Sequence, residues 1–302
     1  MKGAEHVRQR LESLGRLTPE WRTWLVLLEA TISSVNDPAW DTVETQLDPE
    51  RAAAAPVLAG AEIALDRSLG RRWVRRLLAT AAREGGAAAG SLGAAASELD
   101  PLAFLQAVVC QDTATLGGLG ARAGADPKAL VALVGLAAMP LLQACARRLR
   151  SEVPATWSHG YCPVCGAWPA FAEVRGLERT LRLRCARCGD DWRSEWRCCV
   201  YCGESDHERL GSLVSEADGE TRKVDTCAGC RGYLKTLTAL QPSPADAVAL
   251  EDLGTIDLDA AAFERGYSRP ARPGYILGAR LVDGPAQVTE APRWRRLFRR
   301  RS

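Results

Sequence analysis

Four Cys-x-x-Cys pairs lie between residues 162 and 230. The chain has 11 cysteines in 302 residues, and eight of them form the pairs Cys162/Cys165, Cys185/Cys188, Cys199/Cys202 and Cys227/Cys230. One such pair on a tight turn supplies two thiolates, and two turns complete a tetrahedral four-cysteine metal site. In three pairs a glycine follows the second cysteine and permits a positive φ beside the metal, at Gly166, Gly189 and Gly203. The pattern predicts a small fold stabilised by metal ions.

Two predicted hairpins indicate which cysteines share a site. One has strands over residues 171–174 and 177–184, and the other over 209–214 and 221–226, with Asp218-Gly219 as a preferred turn. Each hairpin connects one pair to the next along the chain. We therefore predict one site formed by Cys162, Cys165, Cys185 and Cys188, and a second formed by Cys199, Cys202, Cys227 and Cys230. The spacing leaves crossed pairings open, and it does not choose between zinc and iron, since both accept tetrahedral sulfur.

A disulfide framework and a redox couple are the other interpretations of paired cysteines. Charged residues interrupt the N-terminal segment, so it lacks the apolar core of a secretory signal and predicts a cytoplasmic protein. Disulfides are rare in that reducing compartment. A thioredoxin-like couple needs a βαβ context, which is missing around "YCPVCG". Metal ligation is favoured, and a thiol or iron redox protein stays as an alternative.

Nucleic-acid binding is the rival function from another class. The 39 basic and 37 acidic residues nearly cancel, so overall charge does not indicate an anionic partner. Tryptophans accompany the cysteine pairs at Trp168, Trp192 and Trp196. Seven arginines lie close in sequence to the first site. They either compensate part of the negative charge of the thiolates or form a solvated basic face. These arginines are Arg175, Arg179, Arg182, Arg184, Arg187, Arg193 and Arg197. A zinc-ribbon regulator that binds nucleic acid is therefore the second alternative.

Two further features near the cysteine pairs are interpreted as structural rather than functional. Trp192 and Trp196 stand four residues apart and are expected to cap the small core between the two sites. Cys198 precedes Cys199 and is expected to point away from the metal as a free thiol, with a substitute ligand or a reactive group as the alternative.

The first half of the chain has helical periodicity and no catalytic motif. Predicted helices begin at Thr18-Pro19, Asp100-Pro101 and Asp126-Pro127, where a capping side chain precedes proline. Residues 83–100 are rich in alanine and glycine and indicate a flexible loop or a weak helix. Residues 129–146 are long and apolar, and we interpret them as a buried helix rather than a membrane span.

These observations predict an α+β multidomain fold. An N-terminal all-α helical domain over residues 1–153 is followed by a first four-cysteine ribbon over 154–197 and a second over 198–240. A C-terminal helix, expected from Ala245 to Arg265, lies within residues 241–270. Residues 271–302 are expected to form a flexible extension that ends in an arginine-rich tail.

Four segments, taken in order, resemble a known family. They are "HGYCPVCGAWPAF", "LRLRCARCGDDWRSEWRCCVYCG", "DTCAGCRGYLKTL" and "EDLGTIDLDAAAFERGYSRP", and together they cover roughly residues 157 to 270. The pattern is similar to that of the formate dehydrogenase accessory protein family, called FdhE. Two features depart from it, namely Cys198, where the family usually has a basic residue, and the arginine-rich tail.

The resemblance implies a cytoplasmic maturation factor without catalytic residues. Such factors associate with the catalytic subunit of respiratory molybdenum or tungsten formate dehydrogenases before export and are required for the enzyme's activity. The implied fold has two rubredoxin-like or zinc-ribbon modules, with iron as the metal in the family. The implied metal ligands are Cys162, Cys165, Cys185, Cys188, Cys199, Cys202, Cys227 and Cys230. No nucleic acid and no membrane span are expected.

Overall fold

The computed structural model describes residues 2–194, 198–215 and 219–284. The helices are α1 (Lys2–Leu17), α2 (Arg22–Val35), α3 (Arg67–Glu84), α4 (Gly86–Glu98), α5 (Pro101–Val109), α6 (Thr113–Arg122), α7 (Pro127–Ala132), α8 (Val134–Leu149), α9 (Val248–Leu253) and α10 (Ile256–Glu264). The strands are β1 (Glu44–Gln46), β2 (Glu62–Leu65), β3 (Phe171–Arg175), β4 (Thr180–Arg184), β5 (Asp191–Arg193), β6 (Leu210–Ser215), β7 (Gly219–Cys227), β8 (Tyr233–Ala239) and β9 (Arg280–Asp283). The predicted fold class is confirmed, with helices first, then two four-cysteine modules, then C-terminal helices.

Two of the three predicted helix starts have the expected cap. Asp100 accepts the N–H of Leu102 at 3.2 Å, and Asp126 accepts the N–H of Lys128 at 2.9 Å. Thr18 differs, because its hydroxyl donates back to the Leu14 carbonyl at 2.8 Å instead of capping. The proline after Thr18 therefore opens a short 3-10 turn, and α2 begins at residue 22.

The alanine- and glycine-rich stretch forms α4, so the helical alternative is the observed one. Leu92 and Ala95 are buried, and the helix packs against α3. A Cβ placed on Gly93 would lie 3.3 Å from the Cβ of Ala82, which shows how closely the two helices approach. Small side chains permit this approach although they contribute little apolar area.

The apolar segment of the sequence lies inside the protein. One stretch of helix, Pro127–Glu152, is long and apolar enough to cross a membrane by length and composition, and 72% of its most apolar window is buried. Leu141, Leu142 and Cys145 are fully buried in the main core. The interpretation as a buried helix is confirmed.

A small three-stranded sheet, which the sequence did not predict, connects the two ends of the chain. Strand β2 pairs antiparallel with β1 and parallel with β9. Ile63 is fully buried, Leu277 is 3% exposed, and the Arg67 guanidinium donates to Asp283 at 3.0 Å. The prediction of a flexible extension is therefore wrong for residues 271–284, because apolar burial and strand pairing fix them. The arginine-rich tail lies outside the described residues.

The two ribbons share one six-stranded sheet with the order β5-β4-β3-β8-β7-β6. Both predicted hairpins are confirmed, since β3 pairs antiparallel with β4 and β6 pairs antiparallel with β7. A parallel pairing of β3 with β8, in which Phe171 lies opposite Lys235, joins the ribbons. This connection makes the modules halves of one sheet. All four cysteine turns then lie at one end of it, before β3 and β6 and after β4 and β7.

The expected single C-terminal helix is divided in two. Helix α9 ends at Leu253 and α10 begins at Ile256. Between them the Thr255 hydroxyl donates to the Glu251 carbonyl at 3.0 Å, and the Arg10 guanidinium of α1 lies where a Cβ on Gly254 would stand. Gly254, a residue of low helix propensity, therefore lies at the break between the two helices, where α1 leaves no room for a side chain.

A buried charge network fixes these helices on the sheet. The Lys235 ammonium on β8 is fully buried and lies 2.6 Å from an Asp252 carboxylate oxygen and 2.8 Å from one of Asp259. Arg269 reaches the same two carboxylates at 2.8 Å each, and the Tyr233 hydroxyl donates to Asp259 at 2.5 Å. Two cations and two carboxylates balance, as burial requires. The "GYLK" and "EDLGTIDLD" segments of the sequence therefore meet in space.

We expect Lys235→Met to lower the free energy of unfolding by about 3–5 kcal/mol, because two carboxylates would remain buried beside one arginine. Urea unfolding of the metal-loaded chain measures this. Lys223→Met is the matched control on the neighbouring strand. The Lys223 side chain is 20% exposed and pairs with Asp225, so its loss should cost about 1 kcal/mol or less. Equal losses in the two variants would contradict the assigned role of the network.

Candidate metal centres

The first four-cysteine cluster forms where two turns meet at the end of the β3–β4 hairpin. The sulfur atoms of Cys162 and Cys188 are 3.4 Å apart, and those of Cys165 and Cys185 are 3.5 Å apart. All four sulfurs lie within 4.8 Å of one another. The four residues are at most 2% exposed and belong to the main hydrophobic core.

The second cluster is built in the same way at the end of the β6–β7 hairpin. Cys199 and Cys230 have sulfurs 3.7 Å apart, and Cys202 and Cys227 have sulfurs 3.8 Å apart. Cys227 is buried and Cys199 partly buried, whereas Cys202 and Cys230 are exposed. The structure thus brings the eight predicted cysteines together in sequence order, without crossed pairings.

The turn geometry explains the residue that follows each pair. Gly166, Gly189 and Gly203 have φ values of +68°, +75° and +76°, in the left-handed region that glycine tolerates best. In the fourth pair Arg231 takes this conformation, with φ of +57°. Its guanidinium donates to the carbonyls of Arg265 and Gly266 at 2.8 and 3.1 Å, which offsets the unfavourable backbone.

The sulfur spacing fits a tetrahedral ion. Metal–sulfur bonds near about 2.3 Å place the sulfurs of a regular tetrahedron about 3.8 Å apart. The closest observed sulfur pairs, at 3.4 to 3.8 Å, are near this value. A disulfide needs about 2.05 Å, and none joins any of the 11 cysteines, all of which lie in the described residues. The two clusters could therefore hold two metal ions.

Burial makes the first cluster difficult to ionise by itself. It raises the pKa of Cys162 and of Cys188 well above the ordinary thiol value. Hydrogen bonds with the other three thiols, that of Cys162 first, lower the pKa of Cys185. The thiolate of Cys185 is thus favoured, whereas those of Cys162 and Cys188 are not. Four buried thiolates need a compensating positive charge, which a bound metal cation supplies.

Most arginines of the first ribbon are used inside the protein. Arg184, 3% exposed, lies 2.9 Å from the Glu173 carboxylate, which is 1% exposed. Arg175 reaches both Glu173 and Asp191, and Arg182 donates to Asp191 at 2.8 Å. Burial acts to raise the pKa of Glu173, but the arginines outweigh it and the pKa is lowered. These three arginines therefore form ion pairs rather than a solvated basic face.

Arg187 connects the second turn of the first cluster to the helical half. Its guanidinium is buried and donates at 2.6 Å to the Val108 carbonyl in the last turn of α5, where helix carbonyls lack partners. Of the other predicted arginines, Arg179 and Arg193 are exposed and Arg197 lies outside the described residues.

The two ribbons touch where the segment before the first cysteine turn meets the third cysteine turn, Cys199–Gly203. A Cβ on Gly160 would overlap the Val200 carbonyl oxygen, so only glycine permits this contact. Trp192 is buried, and its indole N–H donates to the His159 carbonyl at 3.1 Å, which agrees with the predicted capping role. Trp196 lies outside the described residues. Cys198 is exposed and forms no disulfide.

An aromatic cleft between the ribbons was not predicted. It has a volume of about 860 Å³, and its lining includes Trp157, Tyr161, Trp168 and Tyr201. The ring centroids of Trp168 and Tyr201 are 5.1 Å apart in an edge-to-face arrangement. The aromatic residues next to the cysteine pairs, in "HGYCP" and "CVYCG", were the feature of the sequence from which this cleft could have been expected.

We expect Cys185→Ser to lose one bound metal ion per chain and to lower the melting temperature markedly, because site assembly is coupled to folding. Cys110→Ser should change neither quantity much. Cys110 is partly buried outside both clusters, and its thiol donates to the Ala279 carbonyl, a contact that a serine hydroxyl can also make. Metal analysis and thermal melts measure the effect. Similar melts for the two variants would contradict it.

Comparison with known proteins agrees with the resemblance inferred from the cysteine pairs. The family model described as "FdhE, C-terminal domain" matches residues 198–276. A protein from Aquifex aeolicus named "Protein FdhE homolog" is 29% identical over 136 residues, which cover 44% of this chain and 47% of that protein. A protein of the same name from Pseudomonas aeruginosa is 36% identical over 130 residues, 40% of this chain and 41% of that protein. The matched regions therefore span less than half the length of these curated relatives.

A solved structure extends the similarity to most of the chain. It is the crystal structure of the FdhE protein from Pseudomonas aeruginosa, with a TM-score of 0.54 and 25% sequence identity. The match covers 90% of this chain and 93% of that one, so it includes the helical half, where the sequence resemblance is weak. The ordered cysteine pairs, the matched C-terminal region and the shared fold together support assignment of the chain to the FdhE family.

Proposed function

We propose that the chain is an accessory factor in the maturation of a respiratory molybdenum or tungsten formate dehydrogenase. In this proposal it binds the catalytic subunit of the enzyme and is required for its activity. The observation that carries the proposal is membership of the FdhE family, which rests on the C-terminal match over residues 198–276 and on a fold match over 90% of the chain. The sequence resemblance leads to the same role.

The eight paired cysteines are the proposed ligands of two structural metal ions, iron or zinc. Their sulfurs are spaced for tetrahedral binding, and each cluster joins the two turns at the end of one hairpin. The ribbons would then present a rigid surface to the client enzyme. Bound iron would add the capacity to carry an electron, whereas zinc would leave only the scaffold.

The role we propose is not catalytic. The buried carboxylates of the two charge networks are paired with cations, Glu173 with Arg184 and Asp259 with Lys235. The pairing lowers the pKa of Glu173, so this carboxylate stays ionised and has no proton to donate. The arrangement supports a structural use of these groups.

The internal arginines favour a protein partner over nucleic acid. Arg175, Arg184 and Arg187 contact carboxylates or carbonyls within the fold, and a phosphate backbone needs accessible cations. We place the encounter in the cytoplasm, because eight of the 11 cysteines are grouped as proposed metal ligands, the use that paired cysteines usually have in a reducing compartment.

We place the contact with the client at the sheet end opposite the cysteine turns. Leu177, in the β3–β4 turn, is 99% exposed, and Leu240, just after β8, is 89% exposed. The two lie at the same end of adjacent strands, since Arg175 of β3 is in register with Ala239 of β8. Apolar side chains this exposed on neighbouring strands are typical of a protein contact surface.

We expect the tagged chain to retain the catalytic subunit of formate dehydrogenase when both are produced in the same cell. The double variant Leu177→Asp/Leu240→Asp should retain at least about tenfold less, because it places charge in an apolar contact. Leu17→Asp is the control, since Leu17 is 73% exposed at the C-terminal end of α1, in the helical half of the chain.

Two outcomes separate the parts of the proposal. Full retention by the double variant would contradict the docking surface alone. No retention by the unmodified chain, together with normal formate oxidation after deletion of its gene, would contradict the function.

A further inference from the structure

The two candidate metal centres differ sharply in their exposure to solvent. All four cysteines of the first cluster are at most 2% exposed. In the second cluster Cys202 and Cys230 are exposed, one from each turn. An incoming ligand can therefore approach the second set of sulfurs from solvent, whereas the first set lies behind packed side chains.

The turns of the first cluster are held by parts of the chain remote from the ribbons. The backbone N–H groups of Val57 and Leu58 donate to the carbonyls of Pro163 and Val164 at 2.7 and 3.1 Å. On the other side, the N–H of Tyr275 donates to the Gly166 carbonyl at 3.0 Å. The second turn is held by Arg187, which donates to the end of α5. Opening this cluster requires the helical half to separate from the ribbon.

The third cysteine turn, Cys199–Gly203, is held mainly by bonds within its own ribbon. The Cys199 N–H donates to the Glu204 carbonyl at 2.8 Å, and the Tyr201 hydroxyl donates to the Tyr233 carbonyl at 2.8 Å. A Cβ on Gly203 would meet no atom within 4 Å, whereas one on Gly189 of the first cluster would meet the Cβ of Ala245 at 2.7 Å. Cys202 and Gly203 are exposed, so this side of the turn can move once the contacts of Val200 with Gly160 and of Tyr201 with Trp168 break, without separation of the helical half.

Clefts on both sides of this turn give access to it. One has a volume of about 330 Å³ and lies against the sheet, with Cys199, Cys227 and Leu234 in its lining. The other is the aromatic cleft of about 860 Å³, and it also includes Cys199. A small thiol-bearing ligand fits either volume.

We propose that the second centre exchanges its metal ion with thiol ligands in solution while the first retains its ion, an inference that rests on the proposed metal ligation. In the exchange an incoming thiol releases its proton to water, and its sulfur bonds to the metal. The metal–sulfur bond of Cys230 or Cys202 breaks, and the released thiolate takes up a proton. The oxidation state of the metal does not change, so no oxidant or reductant is needed.

The strands around the second centre are held by contacts that do not involve the metal ion. Strand β8 stays attached to α9 and α10 through the buried Lys235 and its carboxylates, and through the small core of Val224, Tyr233 and Leu258. Cys227 and Cys230 stay near α10 because Arg231 donates to the Gly266 carbonyl. Loss of the ion should therefore loosen the Cys199–Gly203 turn locally and leave the sheet in place.

The test uses the full chain loaded with zinc. A chromogenic chelator, pyridylazo-resorcinol, in the presence of excess glutathione should remove one zinc equivalent at least about tenfold faster than the other, because local opening is easier than separation of the core. In a parallel sample with the chelator but without glutathione, which would consume the reagent, N-ethylmaleimide labelling followed by mass spectrometry should modify Cys202 and Cys230 before any cysteine of the first cluster.

Cys230→Ser is the informative variant, because it removes one exposed ligand of the second centre and should leave the first centre intact. It should lose the fast phase and keep the slow one. Two equivalents that leave at one rate, or earlier labelling of the first cluster, would overturn the exchange proposal alone. A chain that binds no zinc would contradict the metal sites and the exchange proposal with them.

Discussion

Four thiols enclosed in the main core impose the constraint on which the rest of the structure depends. Cys162, Cys165, Cys185 and Cys188 share one hydrophobic cluster with the helices. Sulfurs at this spacing cannot all ionise in an apolar interior without a cation, and four neutral thiols would leave only weak mutual hydrogen bonds. A metal ion at this point would join the two cysteine turns of the first ribbon, which also contact the helical half.

The rest of the sheet extends from this buried centre. The parallel pairing of β3 with β8 joins the first ribbon to the second in one sheet. Lys235 in β8 then binds the C-terminal helices to the half of the sheet that belongs to the second ribbon. The chain then returns through Tyr275 to the Gly166 turn and adds β9 beside β2. Residues 232–284 thus pack against both ribbons. The first centre becomes inaccessible, whereas the second stays at the surface.

Local patterns predicted much of the candidate site. A Cys-x-x-Cys-Gly turn is specified within five residues, and each hairpin connects turns that are near in sequence, so both clusters and their partners could be assigned. The metal itself could not, because sulfur spacing is the same for zinc and iron. Arg231 in place of glycine shows the limit of the local pattern, since distant carbonyls stabilise its positive φ.

Contacts between distant segments account for what the sequence did not reveal. The sheet of β1, β2 and β9 joins segments about 220 residues apart, and no local periodicity fixes the register of three- or four-residue strands. Lys235, Asp252, Asp259 and Arg269 were all present in the segments that resemble the family, but their roles follow only from their meeting in space. The same is true of Gly160, whose lack of a side chain matters only because Val200 lies against it.

X-ray absorption at the metal edge of the purified chain is the direct test of metal binding by the eight paired cysteines, because it reports the ligands of the bound ion without disturbing the fold. We expect two metal ions per chain and a first shell of four sulfurs at about 2.3 Å, without nitrogen or oxygen. A first shell containing light atoms in place of sulfur, or fewer than two ions in fully loaded protein, would contradict it.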